Sequence, residues 1–508
     1  MKHFLWSFLA LFVLTITASA GEDIQLDVKE RQLSNGMTVL VLENHLAPVF
    51  STYVRFRVGA VDEYTRITGS SHLLEHMMFK GTKIFGTADY ATETPFMKKI
   101  DSLAALLEIE RGKLRHPLSD GSAERAKALR DEIASAQAEQ ARYIIKDELW
   151  ETYLENGASG LNASTGSDGT QYYVSLPANR LELWAFIESD RMANLQLREF
   201  YSERDVVREE RRLRTENQPY GRMYEALNAT AHWSSPYRWQ AIGWGTDLEN
   251  VRREDVQAYF NKYYHPSNSI VSIVGDVKAE EVFALCEKYF GAIPAKPVPP
   301  EVFTDDEPQM GERRVEIEFD ANPTALIGWH MPALGHPDVP ALDVLSDIFS
   351  RGRTSRFYKN IQEKKLGNVR AGISFSRYPD LFSCSITPIG DHGTDEVIDS
   401  VLVEIERTKT QPVENWEIEK VRNQADADFV RSLASNSGMA WQIGNMEAMA
   451  GDWRYLMAYR DLVKKVTPDD LIRVATTYLI KSNRTIVTLI PVKKEPPADA
   501  GLQGRKRP

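Results

Sequence analysis

The spacing of apolar residues along the chain switches repeatedly between the two-residue period of a strand and the 3.6-residue period of a helix. Leu33-Ser-Asn-Gly-Met-Thr-Val-Leu-Val-Leu42 sets the turn pair Asn35-Gly36 before an apolar run, which predicts a strand. Residues 50–58 alternate and predict a second strand. Thr68-Gly-Ser-Ser71 then leads into a short helix, with a serine placed to cap it. Between about 95 and 155 the chain is charged and helix-favouring. Ile100, Leu103, Leu106 and Leu107 recur at helical spacing, as do Ala126, Leu129, Ile133 and Ala136. His116-Pro-Leu-Ser-Asp-Gly-Ser122 interrupts the pattern and predicts two helices folded back as a hairpin with a solvated outer face.

A Gly- and Ser-rich stretch, residues 157–176, turns strand-like, and helices follow from Arg180 and across residues 203–216. Ser269-Ile-Val-Ser-Ile-Val-Gly275 predicts a strand, followed by a helix that contains Cys286. Residues 294–312 open with four prolines in seven positions and continue acidic, the composition of an interdomain linker. The order of elements then repeats: a strand pair over 314–329, a helix over 339–349, strands over 369–388, a long helix over 413–449 and a last strand over 484–491. This predicts an α+β protein built from a duplicated sheet-plus-helices unit. Residues 21–293 form the first domain, 294–312 the linker and 313–493 the second domain, with a basic, disordered tail over 494–508.

A length of 508 residues fits two to four domains, and 43% hydrophobic with 26% charged residues is the balance of a folded soluble chain. Lys2, an apolar run over 4–17 and Ala18-Ser19-Ala20 read as a secretory signal peptide over 1–20, so export to the periplasm is expected. The apolar run is short of the roughly 20 residues that a membrane span needs, and no second run follows, so no membrane anchor is expected. A formal net charge of -11 argues against a nucleic-acid partner. Cys286 and Cys384 sit in separate predicted domains and are expected to be buried thiols rather than a bridge.

The chemistry concentrates in Gly69-Ser-Ser-His72-Leu-Leu-Glu75-His76-Met-Met-Phe-Lys-Gly-Thr82. Residues four apart share one face of a helix, so His72 and His76 can reach one metal ion, with Glu75 beside it. Two imidazoles are half of a tetrahedral zinc site; a catalytic site adds a third protein ligand and keeps one position for water, where Glu75 can act as general base. This order, His-x-x-Glu-His, is the inverzincin pattern. The bland reading of the same stretch is a helix with two solvated histidines. Glu203, Glu209 and Glu210 lie in one helical segment and are all candidates for the third ligand; spacing does not choose among them. His265, His330 and His336 have unremarkable surroundings and are expected to be uninvolved.

Five ordered stretches carry a family resemblance: Arg57-Val-Gly-Ala-Val-Asp-Glu63, residues 68–82, Asn162-Ala-Ser-Thr165, Glu203-Arg-Asp-Val-Val-Arg-Glu-Glu210 and Tyr264-His-Pro-Ser-Asn-Ser-Ile-Val-Ser-Ile-Val-Gly-Asp-Val277. Together they resemble the pitrilysin (insulinase-like) zinc metallopeptidases, in particular the two-domain bacterial branch similar to mitochondrial processing peptidase. The resemblance implies two homologous domains facing each other as a clamshell, the hairpin at 95–155 being an insertion in the first. It implies one Zn²⁺ per chain held by His72, His76 and Glu210, with Glu75 as base and Glu203 as a supporting carboxylate of the catalytic group. It also implies that Asn162 and Ala163 pair with the backbone of a peptide substrate by β-augmentation.

Two departures from the family's pattern stand out. Glu210 lies 134 residues after His76, an excess that the hairpin accounts for. Where the family's second domain offers an arginine and a tyrosine to the substrate, this chain has Gln362 and Asn368. That substitution implies the zinc-bearing half of a heterodimer, whose homologous partner subunit supplies the Arg/Tyr pair. The expected activity is zinc-dependent endoproteolysis of unfolded or short peptides. The alternatives are a non-catalytic assembly subunit and a peptide-binding chaperone with a structural zinc, which would have no use for Glu75.

Overall fold

The computed structural model describes residues 25–116, 118–302 and 304–492. The expected signal peptide and C-terminal tail lie outside the described residues. Two sheets form the framework. The first contains β1 (Lys29–Gln32), β2 (Thr38–Glu43), β3 (Val49–Phe56), β4 (Ser159–Thr165), β5 (Thr170–Pro177) and β6 (Ser269–Gly275), in the order β1-β2-β6-β3-β5-β4. The second contains β7 (Arg313–Phe319), β8 (Thr324–Met331), β9 (Gly367–Gly372), β10 (Asp380–Pro388) and β11 (Arg484–Pro491), in the order β7-β11-β8-β10-β9.

Leaving β1 aside, the two orders are the same. In each half the last strand returns to lie between the first two, parallel to the first and antiparallel to the second. The two-domain α+β duplication is therefore present in the topology. One expectation changes with it: the expected pair over 314–329 is separated by β11, as β2 and β3 are by β6. These inserted strands arrive from far along the chain, so no local turn signal could reveal them.

β6 is buried at all seven positions. Val271 and Ile273 face the core of their own half, with Leu73, Leu74, Trp184 and Phe283. Ile270 and Val274 face the other way, against Met439, Ala440 and Ile443 of the helix Asn436–Ala450, which belongs to the second half. The exchange is reciprocal. The first half's helix Pro219–Ala231 lays Met223 and Leu227 on Leu326, Leu381 and Val487 of the second sheet. A sheet covered on both faces needs apolar residues at successive positions, which explains the unbroken Ser-Ile-Val-Ser-Ile-Val run. Among the described residues, no helix is long and apolar enough to cross a membrane.

The hairpin forms from helices Tyr90–Leu114 and Ala123–Gln140, packed through Leu103, Leu107, Ala126 and Leu129. Leu106 points outward, since Leu103 and Leu107 already occupy the packed stripe. The long helix expected over 413–449 is two helices, Asn415–Leu433 and Asn436–Ala450. Ser435 divides them by accepting the Gly438 amide as an N-cap. Cys286 and Cys384 are buried, unbridged thiols in the two separate cores.

The reciprocal docking depends on close approach at Gly444, where an added Cβ would lie 2.6 Å from Ser272 Oγ on β6. Gly444→Leu should therefore cost about 1–3 kcal/mol through overpacking. The expected result is a lowered melting temperature by circular dichroism; an unchanged melt would mean that this helix does not bear on the first sheet.

Candidate active site

The helix Ser70–Met77 buries Leu73, Leu74 and Met77 and leaves His72, Glu75 and His76 on its half-buried face. No serine caps it. Its N-terminal residue is Gly69 at φ +89°, and the first free amides, Gly69 N–H and Ser71 N–H, donate to the buried carboxylate of Glu63 at 2.7 and 2.6 Å. A left-handed Gly69 with Gly243 beside it lets the chain turn there: a Cβ on Gly243 would sit 2.3 Å from the Gly69 nitrogen. The acidic side chain at the helix start is favourable for the helix dipole as well.

Across from this face runs the helix Phe200–Arg211. Phe200, Glu203, Val207 and Glu210 recur at three- and four-residue spacing and form its inward stripe, with Phe200, Glu203 and Val207 buried. Glu209 is exposed and hydrogen-bonds Arg212, its neighbour on the outer surface. The geometry therefore separates the three candidate carboxylates: Glu210 enters the site, Glu203 stands behind it and Glu209 faces solvent.

Glu210 Oε2 lies 3.4 Å from His76 Nε2 and 3.8 Å from His72 Nε2. One ligand atom from each of these three residues falls within 4.8 Å of the other two. The imidazoles stand nearly perpendicular, with ring centroids 4.8 Å apart. Zinc–ligand bonds are roughly 2.0–2.2 Å, so small side-chain movements would close this set on one ion. The donors, two imidazole nitrogens and a carboxylate oxygen, fit zinc and leave room for a fourth position.

The surroundings orient these groups. His76 Nδ1 donates to Glu203 Oε1 at 2.9 Å, which directs Nε2 toward Glu210, and Lys80 Nζ pairs with Glu203 Oε2 at 2.7 Å. This is the carboxylate–histidine arrangement that fixes the tautomer of a metal-binding imidazole. Arg214 holds the other oxygen of Glu210 at 2.6 Å. Glu75 is fixed by Thr165 of the edge strand β4, whose hydroxyl donates to Glu75 Oε2 at 2.5 Å.

Charge follows from these contacts. Burial lowers the pKa of His72 to about 3, helped by His76 and Arg214, so its ring is neutral with lone pairs available. Burial also acts to lower His76, but the Glu203 hydrogen bond and the charges of Glu203, Glu210 and Glu75 outweigh it and leave the pKa raised. The same negative charges favour a metal cation in place of that proton. Burial works to raise Glu203, yet His76 and Lys80 hold it down at about 2. Glu75 is raised, chiefly by burial and against the pull of Thr165, the direction suited to a proton shuttle.

Asn162 and Ala163 lie on β4, the edge of the sheet, beside the same helix. The Ala163 amide donates to its neighbour's side chain, Asn162 Oδ1, at 2.8 Å. In the second half, Gln362 donates to the Val369 carbonyl at 2.8 Å, and Asn368 is exposed on the edge strand β9. The helix there that corresponds to Ser70–Met77 is Val339–Ser350; it contains no histidine. Lys80, Thr165 and Arg214 received no role from the sequence. Lys80 and Arg214 lie four residues after His76 and Glu210, a spacing that could have signalled them; Thr165 had no such signal.

Comparison with known proteins bears on the fold and the family. The pattern described as "Insulinase (Peptidase family M16)" matches residues 38–95, and "Peptidase M16 inactive domain" matches residues 250–425. The second match begins beyond His72, His76 and Glu210 and falls mainly on the second half. Zinc protease PqqE of Helicobacter pylori is 28% identical over 512 residues, covering 97% of this chain and all of that protein. Mitochondrial-processing peptidase subunit beta of Lentinula edodes is 23% identical, covering 88% of this chain and 86% of its own. The crystal structure of a protease from Helicobacter pylori superposes with a TM-score of 0.76 at 25% identity, over 92% of this chain and all of that one. With one duplicated topology, one His-x-x-Glu-His helix and relatives matched nearly end to end, the chain is similar in sequence and fold to the insulinase-like M16 peptidases.

Proposed function

We propose that this chain is a zinc-dependent endopeptidase of unfolded or short peptides, with His72, His76 and Glu210 as the metal ligands and Glu75 as the general base. The observation that carries this reading is the convergence of those three ligand atoms beside a carboxylate anchored by Thr165. Zinc, when bound, supplies a polarised water and a Lewis acid for the scissile carbonyl. Glu75 takes the proton of that water and delivers it to the leaving amine; burial raises its pKa, the direction that helps it hold the proton between the two transfers. Glu203, bridged between His76 and Lys80, keeps the imidazole oriented and is a positioning group rather than a base. A peptide strand would add to the free edge of β4, displacing Asn162 Oδ1 from the Ala163 amide. The apolar run near the N-terminus supports export of the mature chain.

The second half supports a division of labour. Gln362 is committed to the Val369 carbonyl, and neither it nor Asn368 supplies the charge and hydroxyl of an Arg/Tyr pair. A homologous partner subunit would provide both groups to stabilise the oxyanion.

Two outcomes test the chemistry. Chelator-sensitive hydrolysis of an unstructured peptide pool is expected, with Glu75→Gln retaining zinc and losing turnover by about 10²–10⁴-fold, the range of general acid–base catalysis. Unchanged turnover in that variant would remove Glu75 from its role. Full activity of the purified chain alone would overturn the heterodimer while leaving the peptidase intact. Glu203→Ala should weaken zinc binding by about 10–100-fold in chelator competition, as expected for a lost outer-shell carboxylate. Equal affinity would show that Glu203 does not orient His76.

A further inference from the structure

A second group of metal-capable side chains lies away from this site, where the two halves join. His232 ends the helix Pro219–Ala231 that the first half lends to the second sheet. It is 1% exposed, and its Nδ1 hydrogen-bonds Asp306 Oδ2 at 2.8 Å. Asp306 belongs to the segment connecting the halves. Its other oxygen accepts the amides of Trp233, Ser234 and Ser235 at 2.8, 2.7 and 3.2 Å, so the carboxylate is fixed in place. His330, on β8, presents its ring edge-on to His232 with centroids 5.3 Å apart.

His232 Nε2 is buried and has no hydrogen-bond partner; the nearest acidic oxygen, Asp380 Oδ1, is 3.6 Å away. A buried polar nitrogen without a partner is costly and calls for an explanation. Ligand atoms of His232, Asp306 and His330 lie within 4.8 Å of one another, the same convergence as in His72, His76 and Glu210. The cationic neighbour, Arg313, is drawn onto the Thr230 and Ala231 carbonyls and the Trp233 ring. Asp306 and Asp380 therefore approach the His232 ring from its two nitrogens.

We propose that His232, Asp306 and His330, with Asp380 alongside, form a second divalent transition-metal site that clasps the crossover helix, the connecting segment and the second sheet. Two imidazoles with carboxylate oxygens select a borderline ion such as Zn²⁺ or Co²⁺ over Ca²⁺ or Mg²⁺. The site is structural. Asp306 is held by three backbone amides and Asp380 Oδ2 accepts from Ser376 Oγ at 2.6 Å, so the carboxylates are fixed where the helix, the connecting segment and the sheet meet.

The test uses the full mature chain carrying H72A and H76A, which removes the first site and makes the outcome independent of the peptidase reading. The metal-stripped protein is titrated with Co²⁺, followed by visible absorption, and with Zn²⁺, followed by equilibrium dialysis. One equivalent of metal and a raised melting temperature are expected, and adding H330Q should weaken binding by at least tenfold. No stoichiometric binding in the H72A/H76A chain, or binding unchanged by H330Q, would overturn the proposal and leave the cluster as a hydrogen-bonded contact. Should H330Q fail to fold, the H72A/H76A chain still decides the matter: one equivalent of Zn²⁺ must raise its melting temperature, and an equal melt with and without metal would overturn it.

Discussion

The structure depends on the two-sided burial of its central strands by helices that each half lends to the other. β6 could not carry seven successive buried residues if only its own half covered it, and the helix Asn436–Ala450 provides the second cover. The helix Pro219–Ala231 does the same for the second sheet. Each half therefore completes its apolar core only in the presence of the other. Non-directional burial of this kind holds the assembly together, while the register is set by small residues at the crossings: Ser272 and Gly444 at one, Gly328 beside Leu227 at the other.

That constraint places the chemistry. With one face of the first sheet occupied by the borrowed helix, the half's own helices are collected on the opposite face, and Ser70–Met77 and Phe200–Arg211 meet there. The stripe on Phe200–Arg211 serves two purposes at once. Phe200 and Val207 pack the core, while Glu203 and Glu210, on the same face, reach His76 from its two ring nitrogens. A helix face that is apolar except for two carboxylates is stable only where those carboxylates find partners. Here His76, Lys80, Arg214 and His72 supply them. The second half repeats the sheet but not these side chains, so among the described residues the duplicated architecture carries the His-x-x-Glu-His helix in its first half alone.

His72, Glu75 and His76 could be read from the sequence because three- and four-residue separations on a helix fix geometry locally, whatever the rest of the chain does. The hairpin helices, the strand at 269–275 and the break between the halves were legible for the same reason: periodicity and proline content are properties of short windows. The choice of Glu210 over Glu209 was not legible from spacing, since adjacent residues differ only in which side of one helix they face, and packing against Phe200 and Val207 decides that. The serine expected to cap the metal-site helix lost to Glu63, a carboxylate that precedes the helix by six residues and reaches it only through the fold.

The sequence by itself determined the elements and the His-x-x-Glu-His face, because each is encoded within a turn or two of chain, and the repeated order of elements suggested the duplicated plan. The tertiary structure alone decided which strands are neighbours, which helix covers which sheet, and that His232, Asp306 and His330 meet. These depend on contacts between residues tens to hundreds of positions apart. Such contacts follow from where apolar surface can be buried, not from any local pattern.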